Sequence, residues 1–316
     1  MPSQPVDLSI VTSLFRSAGH LEEFHARCTQ AAAALTSSYE IVLVNDGSAD
    51  DSLRIALEIH KRDPRVRVID LSRNFGHHKA LMTGLAHSRG ELVFLIDSDL
   101  EEDPAWLGRF REAMSATGAD VIYGVQQIRK GGRFERATGE LFFRVFNRVL
   151  THPIPANVVT ARLMTRRYVR ALVAHRDQEV FLAGLWMTTG FDQRPLTVTK
   201  ESRSASTYSP LRRLSVLVNA LTSFSNRPLI YIFELGVAVI LLSVAAAIYL
   251  MYRRLTGSVG VPGWASIMVS IWFLGGLMIF CIGVIGIYLA KVFTETKDRP
   301  YTIVRAEYGP DADTAP

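Results

Sequence analysis

The sequence has little cysteine: its 316 residues include two, Cys28 and Cys281. Cys28 lies in a region of soluble-protein composition and Cys281 lies inside a long apolar stretch, so we expect no disulfide framework. The chain also lacks a basic segment ahead of its first apolar run, and that run is short enough to be a strand. We therefore expect no signal peptide.

The sequence also lacks a patch of interleaved basic and aromatic residues, although Lys and Arg exceed Asp and Glu by 35 to 30. A nucleic-acid-binding surface would need such a patch. The basic residues instead crowd around two long apolar stretches, where anionic lipid headgroups account for them. We expect a membrane as a partner and no nucleic acid.

The two apolar stretches are Leu229–Tyr252 and Trp264–Leu289. Each is longer than the roughly 20 helical residues that cross a hydrocarbon core of about 30 Å. Both are apolar all round, unlike an amphipathic surface helix, and a buried hairpin in a large soluble core is the alternative. Small residues that favour close helix approach in lipid follow in the second stretch: Gly275, Gly276, Gly283 and Gly286. We predict transmembrane helices at 229–252 and 264–290, joined by a short external loop at 253–263.

Flanking charges predict the orientation of this hairpin. The terminal sides carry six basic residues: Arg212, Arg213, Arg227, Lys291, Lys297 and Arg299. The loop has Arg253 and Arg254, which mildly oppose the bias. The positive-inside rule puts the N-terminal region and a tail at 291–316 in the cytoplasm, giving a multi-pass protein of a bacterial-type inner membrane. Glu234, in the first span, is either an interfacial anchor or a functional carboxyl.

Before the hairpin, apolar runs alternate with segments of helical period. The predicted strands are Leu8–Leu14, Tyr39–Val44, Val66–Leu71, Glu91–Ile96 and Asp120–Val125. The predicted helices are Leu21–Leu35, Ser52–Lys61, Lys79–His87 and Pro104–Ala116. This alternation is typical of an α/β fold with a mostly parallel sheet covered on both faces. Ligands of such sheets bind beyond the carboxyl ends of the strands.

Two acidic turns are predicted at that edge, on adjacent strand ends. Asn45-Asp46-Gly47-Ser48 follows one strand, where Asp46 can accept hydrogen bonds from a ribose or base and Gly47 permits a tight turn. An Asx turn that caps the next helix is the alternative. Asp97-Ser98-Asp99-Leu100-Glu101 follows another strand. If that segment stays extended, alternation turns its three carboxylates the same way, and a cation such as Mg²⁺ or Mn²⁺ would relieve their repulsion. A solvated acidic loop is the alternative.

The runs EIVLVNDGSADDS and RNFGHHKALMTGLAHSRGELVFLIDSDLEEDP closely resemble family-two glycosyltransferases of the GT-A fold. Within that family the chain is most similar to polyprenyl-phosphate glycosyltransferases related to dolichyl-phosphate mannose synthase, in the bacterial subgroup with two C-terminal spans. The resemblance continues through LFFRVFNRVL, FLAGLW, STYS and TSFSNRPL. It implies a Rossmann-like GT-A domain at 1–210, an interfacial helix at 211–228, and the hairpin.

The resemblance also implies roles for individual residues. The residues matching the donor site are Ser13, Asp46, Gly47, Asn74, Gly76, Lys79 and Ser98. Asp97 and Asp99 match the catalytic DxD motif, and Asp97, Asp99 and Glu101 match the ligands of Mg²⁺ or Mn²⁺. The residues matching the acceptor-phosphate site are Arg129, Arg133, Arg203, Ser206 and Tyr208. A solvated loop is the alternative for Arg129 and Arg133, and packing or capping is favoured over metal binding for His77 and His78.

Some positions depart from the family pattern. Relatives usually have proline and then tyrosine-asparagine-glutamate where this chain has Ser13 to Ser17, so a donor-side carboxylate is missing. Aspartates common in relatives are replaced by Asn157 and Thr160, so no role of theirs is transferred. Thr207 replaces a common lysine, whose charge Arg203 or Lys200 would have to supply. The carboxyls of Asp177 and Glu179 could act as a base or orient the sugar, or could cap the helix that follows.

The resemblance implies an inverting transfer of a sugar to undecaprenyl or another polyprenyl phosphate, with UDP-glucose as the favoured donor. An acceptor phosphate is already largely anionic, since its second pKa is about 6, so no strong general base is required.

Segments 140–150 and 211–224 could lie on the membrane surface or pack in a core. A processive polysaccharide synthase and a non-enzymatic nucleotide-sugar-binding protein are the alternatives. The resemblance is compatible with a tetramer.

Overall fold

The computed structural model describes residues 6–126, 157–200, 227–256 and 263–309. Contacts divide these residues into two units. The sheet unit comprises residues 6–126, 157–200 and 299–309, and the helical unit comprises residues 227–256 and 263–298.

The described part of the sheet unit has eight strands and six helices. The strands are β1 (Leu8–Leu14), β2 (Tyr39–Asn45), β3 (Val66–Leu71), β4 (Leu92–Leu95), β5 (Val121–Gln126), β6 (Val158–Thr165), β7 (Gln193–Val198) and β8 (Val304–Tyr308). The helices are α1 (Leu21–Ala33), α2 (Ser52–Arg62), α3 (His77–His87), α4 (Trp106–Thr117), α5 (Arg166–Val173) and α6 (Leu182–Thr188). All five predicted strands and all four predicted helices are confirmed, with ends that differ by a few residues.

The strands form one mixed sheet in the order β7-β5-β6-β4-β1-β2-β3-β8. Strands β1 to β4 are parallel to one another, and β5 and β7 run the same way. Strands β6 and β8 are antiparallel to their neighbours. Because β1, β2, β4 and β7 point the same way, their carboxyl ends lie at one edge of the sheet, which we call the catalytic edge.

Burial explains why the central strands were readable from the sequence. Every residue of β1, β2 and β3 is buried, as expected for parallel strands covered on both faces. Helix α3 packs closely on β1 and β2 at Gly84, where an added Cβ would lie 2.6 Å from Val11 Cγ1 and 2.9 Å from Val44 Cγ2. This close packing fixes α3 against β1 and β2.

The C-terminal strand was not foreseen. Residues 291–316 were expected to form a tail, but β8 within that range pairs antiparallel with β3. Arg67 on β3 is buried and forms ion pairs with Glu307 on β8 and with Glu40, whose Oε2 lies 3.4 Å from Arg67 Nη1. Thr83 and Thr302 share a hydrogen bond of 2.8 Å. The chain beyond the helical unit therefore completes the sheet that begins at residue 8.

The helical unit consists of α7 (Arg227–Leu255) and α8 (Trp264–Glu295). Their large apolar side chains are exposed: Phe233, Leu242, Trp272 and Ile279 each have more than 70% of their surface accessible. One segment of the described residues, Ser270–Glu295, is long and apolar enough to cross a membrane. The apolar part of α7, Leu229–Ala245, is shorter. The predicted loop begins too early, since residues 253–255 are helical, and the second predicted helix continues past residue 290.

Candidate active site

The first acidic turn, after β2, holds the loop that follows β3. Asp46 Oδ1 accepts a hydrogen bond from the Phe75 N–H (2.7 Å), and Oδ2 accepts one from the Gly76 N–H (3.0 Å). The Asn74 side-chain amide donates to the Asp46 carbonyl (3.1 Å). Asp46 is 2% exposed. The Asp46 carboxylate therefore holds the backbone of the predicted donor-side loop in place.

Glycine is required in this turn. Gly47 has φ +58°, and a Cβ there would lie 2.4 Å from Asn74 N and 2.5 Å from Arg73 C. Both neighbours are backbone atoms, so a side chain could be accommodated only if the loop moved. The two loops approach each other so closely at this point that only glycine fits in the turn after β2.

The residues after β1 are held by the turn that precedes α2. The Arg16 N–H donates to Ser48 Oγ (2.8 Å), and the Ala18 N–H donates to Asp50 Oδ2 (3.2 Å). Asp50 Oδ1 accepts from the hydroxyls of Ser48 and Ser52, each at 2.6 Å. Partial burial raises the pKa of Asp50, but these hydrogen bonds outweigh it and lower that pKa to about 2. The segment where a donor-side carboxylate is missing is thus rigidly placed.

The second acidic turn is not extended, which corrects the expectation that Asp97, Asp99 and Glu101 point the same way. Leu100 has φ +58°, and residues 98–99 form a turn. Asp99 Oδ1 accepts from the Glu101 N–H (2.9 Å), and the Ser98 hydroxyl donates to the Ser13 carbonyl (3.0 Å). Strand alternation no longer applies once the chain turns, so each carboxylate has its own surroundings.

Asp97 is paired with a histidine that the sequence analysis assigned to packing or capping. His77 Nε2 lies 3.2 Å from Asp97 Oδ1, and His77 Nδ1 lies 2.8 Å from Ser13 Oγ. Desolvation acts against the charged forms, yet the pair keeps the pKa of Asp97 lowered and that of His77 raised. His77 thereby links the ends of β1 and β4 from the first residue of α3. The sequence feature that could have indicated this role is the position of His77 directly after the donor-side loop RNFG.

Glu101 is paired with Lys200, two residues beyond β7. Lys200 Nζ lies 3.1 Å from Glu101 Oε2 and 4.0 Å from Glu102 Oε1. The two side chains of the closer pair are 21% and 13% exposed, for Lys200 and Glu101 respectively. Burial lowers the pKa of Lys200, but Glu102 and Glu101 outweigh it and raise that pKa, so the ammonium is charged.

Beneath this pair, Glu102 is fully buried and joins two strands. Its carboxylate accepts hydrogen bonds from the Asp97 N–H (3.4 Å) and the Thr160 N–H (2.9 Å). Burial and the charge of Asp97 raise the pKa of Glu102. Arg162, also buried, stacks on the Trp186 ring at 2.9 Å from its centroid, and desolvation lowers its pKa to about 9. Neither Glu102 nor Arg162 was predicted from the sequence to have a role at the site.

The sequence predicted that the two acidic turns follow adjacent strands, and this prediction is wrong. They follow β2 and β4, and β1 lies between those strands because the chain crosses back over the sheet after β3. Ser13 at the end of β1 fills the gap through its hydroxyl contact with His77 and its carbonyl contact with Ser98. The turns therefore flank a shared position at the point where the strand order reverses, which is where α/β sheets bind ligands.

The structure places all ten of the predicted donor, catalytic and metal residues at the catalytic edge. These are Ser13, Asp46, Gly47, Asn74, Gly76, Lys79, Asp97, Ser98, Asp99 and Glu101. The predicted acceptor-phosphate residues Arg129, Arg133, Arg203, Ser206 and Tyr208 lie outside the described residues, as do segments 140–150 and 211–224. Asp177 and Glu179 do not cap α6, which begins after Phe181 without a side-chain cap.

The described residues give a partial fit to a divalent cation. Among them, no group of three or more His, Cys, Asp or Glu side chains is placed to hold a metal ion. Asp97 Oδ1 is nevertheless buried, and its 3.2 Å ion-pair contact with His77 Nε2 lacks hydrogen-bond geometry, so this oxygen can still bind a further ligand. Burial raises the pKa of Asp99, partly offset by the Glu101 N–H. Two carboxylates suit Mg²⁺, which is commonly held by one or two carboxylates together with substrate phosphates and water.

Comparison with known proteins gives consistent matches. Residues 9–173 match the model of the family described as Glycosyl transferase family 2. A protein of Mycobacterium tuberculosis described as "Putative glycosyltransferases" is 50% identical, with 97% of this chain and 90% of that protein covered. The "Bactoprenol glucosyl transferase" of Shigella phage SfX is 30% identical, with 95% and 99% covered. The crystal structure of S. aureus TarS 1-349 with UDP-GlcNAc has a TM-score of 0.47 at 14% identity, with 69% and 66% covered.

Proposed function

The chain belongs to glycosyl transferase family 2, with a GT-A, Rossmann-like sheet domain, and on that premise we propose that it transfers a sugar from a nucleotide-sugar donor to polyprenyl phosphate. The observation that carries the proposal is the meeting of Asp46, Asp97 and Asp99 at the catalytic edge. Relatives named bactoprenol glucosyl transferase support a polyprenyl-phosphate acceptor and glucose as the sugar. UDP-glucose is the donor to test first.

The chain's own residues have separate tasks in this reaction. The loop held by Asp46 lines the donor site, with Asn74, Gly76 and Lys79 beside the nucleotide. Asp97 and Asp99 would hold Mg²⁺ or Mn²⁺, which when bound stabilises the charge on the departing nucleoside diphosphate. Arg129, Arg133, Arg203, Ser206 and Tyr208 remain the proposed ligands of the acceptor phosphate.

The acceptor supplies its own nucleophile. A phosphate monoester with a second pKa of about 6 is mostly dianionic near neutral pH, so its oxygen can attack the anomeric carbon without losing a proton to a side chain. The carbon–oxygen bond to the diphosphate breaks as the new bond forms, which inverts the anomeric configuration. An α-linked donor would thus give a β-linked phosphodiester.

The membrane segment brings the enzyme to its acceptor. The isoprenoid tail of the acceptor stays in the bilayer, since exposing each CH₂ group to water costs about 0.8 kcal/mol. We propose a two-span hairpin of α7 and α8 in a bacterial-type inner membrane, with the sheet unit on the cytoplasmic side. The exposed apolar side chains of both helices support this arrangement. The return of β8 to the sheet also supports it, because both ends of the helical unit must then lie on one side.

The test is transfer of radiolabelled glucose from UDP-glucose to undecaprenyl phosphate by the purified protein with Mg²⁺ or Mn²⁺. A chloroform-soluble labelled product is expected, whereas a polymer would indicate a processive synthase and no product with any sugar nucleotide would indicate a binding protein. Asp99→Asn should lower kcat about a hundredfold or more. Asp192→Asn, an exposed carboxyl remote in sequence from both turns and paired with Arg194, is the matched control and should retain wild-type rates.

A further inference from the structure

We propose that Glu101 holds Lys200 and does not ligate the metal, and that Lys200 is the ammonium that binds a phosphate group of the substrate. This inference rests on the proposed function and reassigns one predicted metal ligand. It starts from the 3.1 Å contact between Lys200 Nζ and Glu101 Oε2 in a pair that is largely shielded from water. At that distance the Lys200 ammonium neutralises the Glu101 carboxylate, as a bound metal ion otherwise would.

The shape of the turn separates Glu101 from the other two acids. The left-handed Leu100 lies between Asp99 and Glu101, and the Glu101 N–H is used by Asp99. Asp97 faces His77, whereas Glu101 faces the end of β7. Glu101 thus already has a lysine ammonium as its counter-ion, which agrees with the lack of a three-residue metal cluster among the described residues.

Lys200 is better suited to an anionic ligand than the nearby cations Arg162 and His77. Arg162 is fully buried against Trp186, so its guanidinium cannot reach a substrate. His77 is paired with Asp97. Lys200 is partly exposed at the catalytic edge, and an ammonium has three N–H donors, so it can keep Glu101 and still donate to a phosphate oxygen.

The surrounding negative charge favours such a cation. Asp46, Asp97 and Asp99 would repel both substrates of the proposed reaction, since each carries phosphate. Lys200 lies two residues beyond β7, directly before the segment that contains the proposed acceptor ligands Arg203 and Ser206. The phosphate that Lys200 meets is therefore either the donor diphosphate or the lipid phosphate, and kinetics distinguishes them.

The first experiment measures binding of Mn²⁺ with UDP to the full-length protein by calorimetry and by Mn²⁺ electron paramagnetic resonance. Glu101→Gln should leave the Mn²⁺ dissociation constant within twofold of wild type, while Asp99→Asn should raise it at least tenfold. A tenfold weakening by Glu101→Gln would make Glu101 a metal ligand and overturn the proposal.

The second experiment compares Lys200→Met and Lys200→Arg by steady-state kinetics. Lys200→Met should raise the KM of one substrate at least tenfold with a smaller change in kcat, and Lys200→Arg should restore part of it. A rise for UDP-glucose identifies the donor diphosphate, and a rise for undecaprenyl phosphate identifies the lipid. Adding Glu101→Gln to Lys200→Met should have little further effect, because Glu101 acts through Lys200. Unchanged KM values for both substrates would refute the role of Lys200.

A third measurement needs no turnover, so it separates this proposal from the proposed function. The six lysines can be ¹³C-methylated, and the Lys200 signal identified as the one missing from Lys200→Arg. Glu101→Gln should shift that signal in the ligand-free protein, and UDP or undecaprenyl phosphate should shift it in wild type. An identical Lys200 signal in wild type and Glu101→Gln would disprove the pair even if sugar transfer were fully active.

Discussion

At the scale of single residues, the acids of the catalytic edge are held by side chains that lie far from them in the sequence. Asp46, Asp97 and Asp99 were found because acids that follow apolar strands are conspicuous. The contacts between Asp97 and His77 and between Glu101 and Lys200 were not found, because each joins segments distant in sequence. The turn at Leu100 also has no local signal, since a leucine rarely adopts positive φ.

Gly47→Ala is expected to destabilise the protein by about 1–3 kcal/mol, because the new Cβ would collide with the backbone at Arg73 and Asn74 and the residue would keep positive φ. Movement of the loop that contains Arg73 and Asn74 should also raise the KM for the sugar nucleotide, since this loop lines the proposed donor site. Gly108→Ala is the control: it lies within α4 with nothing within 4 Å of the new Cβ, so it should be neutral or slightly stabilising. Thermal unfolding and donor kinetics check both; a stable, fully active Gly47→Ala would contradict the close approach.

Asp50 is expected to make the protein sensitive to acid. Its pKa is about 2 in the folded protein against 3.8 as the ordinary value, so ionised Asp50 stabilises the fold above about pH 4, and this contribution is lost as the pH falls towards 2. Because Asp50 is exposed, we expect about 1 kcal/mol at neutral pH. Melting temperatures of wild type and Asp50→Asn should differ at pH 7 and converge by about pH 2. Asp192→Asn should follow wild type throughout; a constant gap for Asp50→Asn would exclude the titration.

At the scale of elements, burial separates what was predictable from what was not. Strands β1 to β3 are buried along their whole length and read as apolar runs. Strand β7 has the sequence QRPLTV, with three exposed residues at Arg194, Pro195 and Thr197, and β8 has the sequence VRAEY, so neither shows a strong strand pattern. Their positions at the two edges of the sheet require less apolar surface.

The β8 strand gives a prediction about stability. Glu307→Gln should destabilise the protein by about 1–3 kcal/mol, because Arg67 is buried and would lose a charged partner. Arg305→Gln is the matched control on the same strand: Arg305 is 56% exposed and lies 3.6 Å from Asp70, so a loss of less than about 1 kcal/mol is expected. Chemical unfolding of both variants decides; equal effects would mean that β8 is held by its backbone alone.

At the scale of the whole molecule, the chain order of the sheet limits the ways in which it can meet a membrane. Strands β1 to β7 precede the helical unit and β8 follows it, yet all eight belong to one sheet. A folded sheet cannot be divided between two sides of a bilayer. The chain must therefore cross the membrane an even number of times between β7 and β8. Hydropathy alone selects one segment, Ser270–Glu295; if that segment crosses, as proposed, the sheet topology predicts a second crossing.

This parity predicts that α7 crosses the membrane together with α8, and impermeant thiol labelling can test it. In a Cys281→Ser background, Ser258→Cys places a thiol between the helices and Thr314→Cys places one after β8. Cys28 can stay, since burial raises its pKa and it should not react in the folded protein. In sealed cells with the native orientation, Ser258→Cys should be labelled from outside and Thr314→Cys should be labelled only after detergent is added. Labelling of both from outside, or of neither, would refute a two-span hairpin and leave α8 as a helix that does not cross.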